Sequence, residues 1–381
     1  MKRLCFLLLA SLCSVLAVAQ NLNAYVDNNG YFYIFDNGNI TQYEYSKPIS
    51  LQVGRTSVAY IDYNNNFKIY WNGEIHEPSQ RMISSYFVTR DIVEFNVGRQ
   101  AYIFKDGVTE QLTDKSFNFK VGDRFFVAQD NETKALEVHD GEKLLTLSTP
   151  DADWPGNLIP AINSYGYTYK YEVGRNTVAF VDRFDLNVFW RDTIWPFLTL
   201  PANSKNLLQP DLVQFHFKTA KNIVAVNNTF LGSLSVFYKG KISDLAKSNV
   251  HNYTVADDMV IYEEYGNVKA FYSGKEYDLY KGIWGGNAKD SVAIFSVPGY
   301  FSVFNKGIIS VVDNLSPKEF KLDGNTVAWI DRENNLKAFY NGVVYTLTDL
   351  IKPIGFSVAG NTVWFNTLPG GNHVFCKGKI Y

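Results

Sequence analysis

Cysteine is nearly absent from this 381-residue chain, and methionine is as rare, with three of each. Two of the cysteines, Cys5 and Cys13, fall in the first 19 residues, so Cys376 stands alone in the rest and no internal disulfide can staple the fold. Cys376 is expected to be a small buried apolar group. No basic cluster stands out, and the formal net charge is −2. A nucleic-acid partner is therefore not expected, since phosphate binding needs concentrated Lys and Arg. No 3.6-residue apolar stripe runs ten residues or more beyond the N-terminus, which excludes a helical core. The five histidines have no ligand spacing, and no Gly-x-Ser-x-Gly elbow or phosphate-binding glycine loop occurs. No metal, no cofactor and no catalytic residue is predicted.

One long apolar run is present, MKRLCFLLLASLCSVLAVA. It has a basic start at Lys2 and Arg3, and it ends in small residues at Ala17-Val18-Ala19. This reads as a secretory signal peptide over 1–19, with cleavage before Gln20. Residues 20–381 then form one domain, secreted or periplasmic, with no membrane span. Removing Lys2 and Arg3 leaves 34 basic against 38 acidic residues, a net charge near −4.

Repetition is the strongest signal present. NTVAWIDRENNLKAFYNGVVYTLTD (325–349) returns as TSVAYIDYNNNFKIYWNGEIHE (56–77), NTVAFVDRFDLNVFW (176–190) and DMVIYEEYGNVKAFYSGKEYDL (258–279). Each unit closes an aromatic stretch with glycine, from Gly38 and Gly73 through Gly342 and Gly378. Successive glycines lie 33 to 36 residues apart, except for one gap of 99 in which Asp192 takes the glycine's place. Ten units of about 34 residues follow. Asn-Gly and Asp-Gly at these points supply the positive φ of a two-residue hairpin. A unit divides into strand A (320–322), strand B (326–331), strand C (336–341) and strand D (343–348). Four short β-type strands per unit predict an all-β fold, a β-propeller of about ten four-stranded blades in one ring.

Strand C carries two columns. One is uniformly apolar, from Tyr70 and Phe104 to Phe271, Phe339 and Phe375, and is expected to be buried throughout. Its neighbour holds Trp71, Lys105, Asn305 and Cys376 among others, and is expected to tolerate change.

FSVAGNTVWFN (356–366) and SVAYIDYNNNFKIYWNG (57–73) resemble TolB-like propeller repeats, although Ala359-Gly360-Asn361 and Gly54-Arg55 replace that family's Pro-Asp-Gly turn. The resemblance covers nearly all of 21–381. It implies a propeller with strand A innermost, and it does not carry a function across, because such propellers serve assembly, binding and catalysis alike. The first unit starts at strand B, which leaves its innermost position without a strand in the sequence.

Two connections are long, 149–166 and 201–212, and both join strand D to strand A. In an up-and-down blade they emerge at one end, together with the B–C turns. Trp154 and Trp195 offer flat faces there for a sugar ring or a protein partner. Asp151 and Asp153 lie outside the repeat as further candidates, with Asp182 on the neighbouring B–C turn. Trp284 borders another irregular segment. Asp27, Asp62, Asp130 and Asp331 recur at equivalent turns and are read as caps of their own turns. The expected function is a non-catalytic binding protein for a protein or glycan. Alternatives are an extracellular or periplasmic hydrolase or lyase acting on polysaccharide or peptide, and a structural component of an envelope assembly.

Overall fold

In the computed structural model, residues 21–381 are described apart from 99, 113–115, 124, 131, 132, 134, 141, 142, 150–170, 183, 184, 200–214, 229–231, 249 and 251. Among the described residues there is no helix. Ten antiparallel sheets follow one another along the chain, and each is a simple meander. Blades 2 to 10 have four strands. Blade 1 has three: β1 (Leu22–Val26), β2 (Phe32–Asp36) and β3 (Asn39–Glu44).

The hairpins form as the glycines predict. Asn341 and Gly342 both take positive φ, as do Asn72-Gly73 and Lys239-Gly240. Arg191 and Asp192 adopt the same pair of angles at 50° and 58°, so the aspartate does stand in the glycine's place. The cut proposed for one unit is matched by Glu319–Asp323, Thr326–Ile330, Leu336–Tyr340 and Val343–Thr346.

Ten apolar clusters fill ten seams between successive blades. The last of them joins Tyr25 and Phe35 of blade 1 to Val374 and Cys376 of blade 10, which closes the ring. β1 wedges between blades 2 and 10 and packs on strands A and B of both. Strand A of one blade lies beside strand A of the next, as for Glu319–Asp323 and Gly355–Ala359, so strand A is innermost.

The apolar column of strand C is buried wherever it occurs, from Tyr70 to Phe375. The second column needs correcting. Lys105 and Tyr238 are partly exposed, but Trp190, Asn305 and Cys376 are buried. That face packs on the following blade, so it tolerates polarity only where the seam leaves room.

The recurrent aspartates behave as turn caps. Asp62 Oδ1 accepts from the Asn64 and Asn66 N–H groups at 2.8 and 2.9 Å, and Asp331 Oδ1 accepts from Glu333 and Asn335 at 2.9 and 2.8 Å. Asp27 serves Asn29 and Tyr31 in the same way. Lys68 and Lys337 sit on the caps at 2.9 and 3.0 Å. For both carboxyls burial acts upward, but these lysines and N–H donors outweigh it and hold them below the usual range.

Candidate functional site

The A–B turns meet around the ring axis. At two of them the approach is so close that only glycine fits: a Cβ on Gly174 would strike the Ala220 carbonyl, and one on Gly54 the Thr89 carbonyl. Backbone bonds link neighbouring turns, from Asp123 N–H to Arg175 C=O at 2.9 Å and from Lys221 N–H to Asp257 C=O at 3.0 Å. The next residue of the turn is Asp123 after Gly122 and Arg175 after Gly174, and Arg90, Asp257 and Asp290 hold the equivalent place after Thr89, Ala256 and Lys289.

That position brings five charged side chains together. Arg90 of blade 3 reaches Asp290 of blade 8 at 2.8 Å and Asp257 of blade 7 at 3.4 Å. Arg175 of blade 5 binds Asp257 at 2.5 Å, pairs also with Asp290, and lies 3.8 Å from Asp123 of blade 4. Partners 200 and 115 residues apart can meet only across the middle of the ring, so the two guanidiniums span the central opening at this end. The Gly324 N–H adds a 2.6 Å bond to Asp290.

Burial and charge pairing oppose each other here. It pushes the Asp123 carboxyl up to about 6 against the pull of Arg175, and it raises Asp257 despite both arginines. For Asp290 burial also acts upward, but Arg175, Arg90 and the Gly324 N–H together hold it below the usual carboxylate range. For Arg175 burial acts downward, and its three carboxylate neighbours outweigh it. Asp290 is thus the ionised anchor of an ionic bolt.

Above the bolt, strand A lines the lumen with a repeated staple. Lys120, Lys218 and Lys321 each lie over the ring of the next blade's strand-A aromatic, Tyr171, Tyr253 and Phe356, at 4.9, 4.5 and 4.5 Å. Each donates to the backbone carbonyl of that same residue, at 2.9, 2.8 and 2.7 Å. Gln52 does so to Tyr86 at 3.2 Å.

The opposite end, where D–A connections and B–C turns emerge, is different in kind. Large apolar side chains stand exposed on it: Tyr45, Ile49, Met82, Ile283, Leu315, Leu350 and Ile354 on D–A connections, and Tyr63, Tyr265 and Leu368 on B–C turns. Most are more than half exposed, Tyr45 by 84 % and Ile283 by 79 %. Among the described residues, the A–B and C–D turns at the other end expose none, although Val108, Ile308 and Val343 stand exposed where strand D leaves the C–D turn.

Asp151, Asp153 and Trp154 lie outside the described residues, as do 150–170 and 200–214, which contain most of the two long connections. Trp195 is half-buried at the seam of blades 5 and 6, with its ring 6.0 Å from Phe237 and against Gly240. Its indole N–H is buried without a partner. Asp182 accepts from the Ser148 hydroxyl at 2.6 Å. Trp284 is buried and donates to Thr254 at 3.3 Å. Trp195, Asp182 and Trp284 thus have different neighbours, and the arrangement of the full candidate set lies outside the described residues. The structure assembles the bolt, which sequence reasoning missed. A signal was available, because aligning the repeats on the A–B turn stacks Arg55, Arg90, Asp123, Arg175, Lys221, Asp257 and Asp290 in one column. Among the described residues, no group of three or more His, Cys, Asp or Glu side chains is placed to hold a metal.

Ten seams, ten meandering sheets and an innermost strand A define a closed ten-bladed β-propeller. The chain belongs to the 10-bladed beta propeller domain family, whose model matches residues 16–381. No curated protein matches it significantly. Among solved structures it is similar to the computationally designed Ika8 protein, at 13% identity and a TM-score of 0.30, over 78% of this chain and 97% of that one. It is similar to Hsv2 of Kluyveromyces lactis at 9% identity and 0.33, over 77% and 92%. PorZ of Porphyromonas gingivalis, an essential bacterial surface component of the type-IX secretion system, shares 8% identity and 0.29, over 96% of this chain and 59% of that one. Likeness at this level says nothing of what the chain binds.

Proposed function

We propose that this propeller is an exported, non-catalytic binding protein whose partner is a protein docked on the end that carries the D–A connections. One observation carries the reading: large apolar side chains stand exposed in the connections at one end of the ring, whereas at the other end, among the described residues, they are found not in the turns but at the first position of strand D, as at Val108 and Ile308. Water disfavours such a surface, and crowded exposed apolar residues mark sites of association. Tyr45, Tyr63 and Tyr265 pair an apolar body with a polar tip, as docking surfaces favour. The export half of the reading rests on the leader-like composition of 1–19. No helix among the described residues is long and apolar enough to cross a membrane.

A second reading, hydrolysis of an extracellular polymer, is favoured by the convergence of Asp123, Asp257 and Asp290. The guanidiniums of Arg90 and Arg175 already occupy those carboxylates, which suits a tie across the ring better than proton transfer to a substrate.

A triple variant, Tyr265→Glu, Ile283→Glu, Leu315→Glu, tests the first reading. These positions are exposed, so thermal unfolding should stay close to that of the parent. Retrieval of the partner from an extract of the source cells should fall at least about tenfold, as loss of central contacts does. A folded triple variant that retrieves the same proteins as the parent would place the binding surface elsewhere.

A further inference from the structure

In four seams, rings of one blade fill the C–D end against an aromatic of the next. Trp71 and His76 of blade 2 lie on Phe104 of blade 3, with ring centroids 6.5 and 5.1 Å away. Trp190 and Trp195 meet Phe237 at 6.2 and 6.0 Å, and Tyr272 and Tyr277 meet Phe304 at 6.1 and 5.4 Å. Tyr345 meets Phe375 at 5.0 Å. The first ring of each pair stands just before the C–D turn, and the second stands on strand D just after it. In blade 3 those two places hold Lys105 and Glu110. The facing aromatic is replaced as well. Strand C of blade 4 extends to Asp140, opposite Lys143, so that His139 and not Val138 stands opposite Phe126. The imidazole stacks on Phe126 at 4.3 Å, and Phe126 packs with Ile92 and Ile103 of blade 3.

A cavity of about 240 Å³ opens at this place in the seam of blades 3 and 4. Its floor is apolar and buried, made by Ile92, Ile103, Phe125 and Phe126. Asp106 and Glu110 stand exposed at its mouth, while Lys105 and His139 form partly buried walls. Burial holds the His139 imidazole below its usual range against the pull of Glu110, so it is uncharged at neutral pH. The lining therefore carries two carboxylates and one ammonium.

We propose that this seam is a binding site for a small aromatic amine, with its flat ring on the apolar floor and its ammonium at the mouth beside Asp106 and Glu110. A cavity of about 150 Å³ suffices for one benzene ring, so the larger volume here admits a bicyclic one. Phe126 and His139 offer ring faces and edges to it, as the missing side chains of blade 3 would otherwise have done. The surplus of negative charge at the mouth favours a cation there and repels an anion. The site opens at the C–D end and takes a small molecule, so it is distinct from the docking face proposed above and does not depend on it.

Calorimetric titration of the protein with tryptamine, indole and indole-3-acetate tests this. Tryptamine should bind once per chain with millimolar affinity or better. It should bind at least about tenfold more tightly than indole-3-acetate, with indole between them. Glu110→Trp returns to blade 3 the ring that Trp195 supplies in blade 5. It fills the cavity, so it should weaken tryptamine at least about tenfold and melt no lower than the parent. Glu110→Gln keeps the cavity and removes only the charge, so it should weaken tryptamine about threefold and leave indole unchanged. No binding of tryptamine at about 10 mM overturns the proposal, as does indole-3-acetate binding as tightly as tryptamine. A folded Glu110→Trp that binds tryptamine like the parent overturns it too. If Glu110→Trp does not fold, Glu110→Gln decides alone, and an equal effect on tryptamine and indole is the contrary result.

Discussion

Arg175→Ala should lower the unfolding free energy by about 3–5 kcal/mol, the range for removing one partner from a buried ion pair. Arg175 contacts Asp257 and Asp290 and approaches Asp123, and the first two carboxylates are almost wholly buried. Taking away the guanidinium leaves Asp290 with Arg90 and the Gly324 N–H alone, in a place where water compensates poorly. Arg55→Ala is the matched control. Arg55 pairs with Asp91 at the same end, but its side chain is 47% exposed, so this loss should stay under about 1 kcal/mol. Chemical denaturation of both variants gives the comparison. A double variant, Arg175→Ala with Asp290→Ala, should recover part of the loss, because it removes the stranded charge as well. Equal midpoints for Arg175→Ala and Arg55→Ala would mean that the cluster is solvated and holds nothing across the ring.

Phe339→Ala and Phe271→Ala should each destabilise by about 3–5 kcal/mol, as truncation of buried aromatics does. Phe339 is 1% exposed and packs in the seam with Trp329, Val303 and Val327. Phe271 fills the seam between blades 6 and 7 with Leu234, Val260 and Tyr262. A closed ring cannot contract around a lost side chain without straining its other seams, which keeps the cavity open and the loss large. Lys105→Ala, in the neighbouring column, should stay within about 0.5 kcal/mol. Asn305 no longer belongs with it, since that side chain is buried. Similar midpoints for Phe339→Ala and Lys105→Ala would reverse the assignment of strand faces.

The fold was legible because its determinants are local. Positive φ at Asn-Gly turns, a period of about 34 residues and the apolar column at Phe271 and Phe339 need nothing outside one blade. Asp192 was readable as a turn residue for the same reason. Closure was not legible, because it depends on β1 meeting Val374 and Cys376 from the far end of the chain. Trp195 shows another limit. It sits beside Pro196 and looks irregular, yet it pairs with Val188 in the regular ladder of strand D, and its ring lies 6.0 Å from Phe237 of the next blade. The bolt escaped because Arg90 and Asp290 carry opposite charges at one repeat position, so no single residue type recurs there to draw notice. The apolar end escaped in part because Met82, Ile283 and Leu315 lie on short connections that no periodicity marks.

On the reading proposed above, the two ends of this ring differ in role, one tied by ions and the other a docking face. A photo-crosslinking residue placed singly at Ile283, Leu315, Ser273 and Asn341 tests it most directly. The first two positions lie on D–A connections, and the last two lie in C–D turns at the opposite end. Irradiation in the source cells should give partner adducts from Ile283 and Leu315 and none from Ser273 or Asn341. Adducts from Ser273 or Asn341, with none from Ile283 and Leu315, would contradict it.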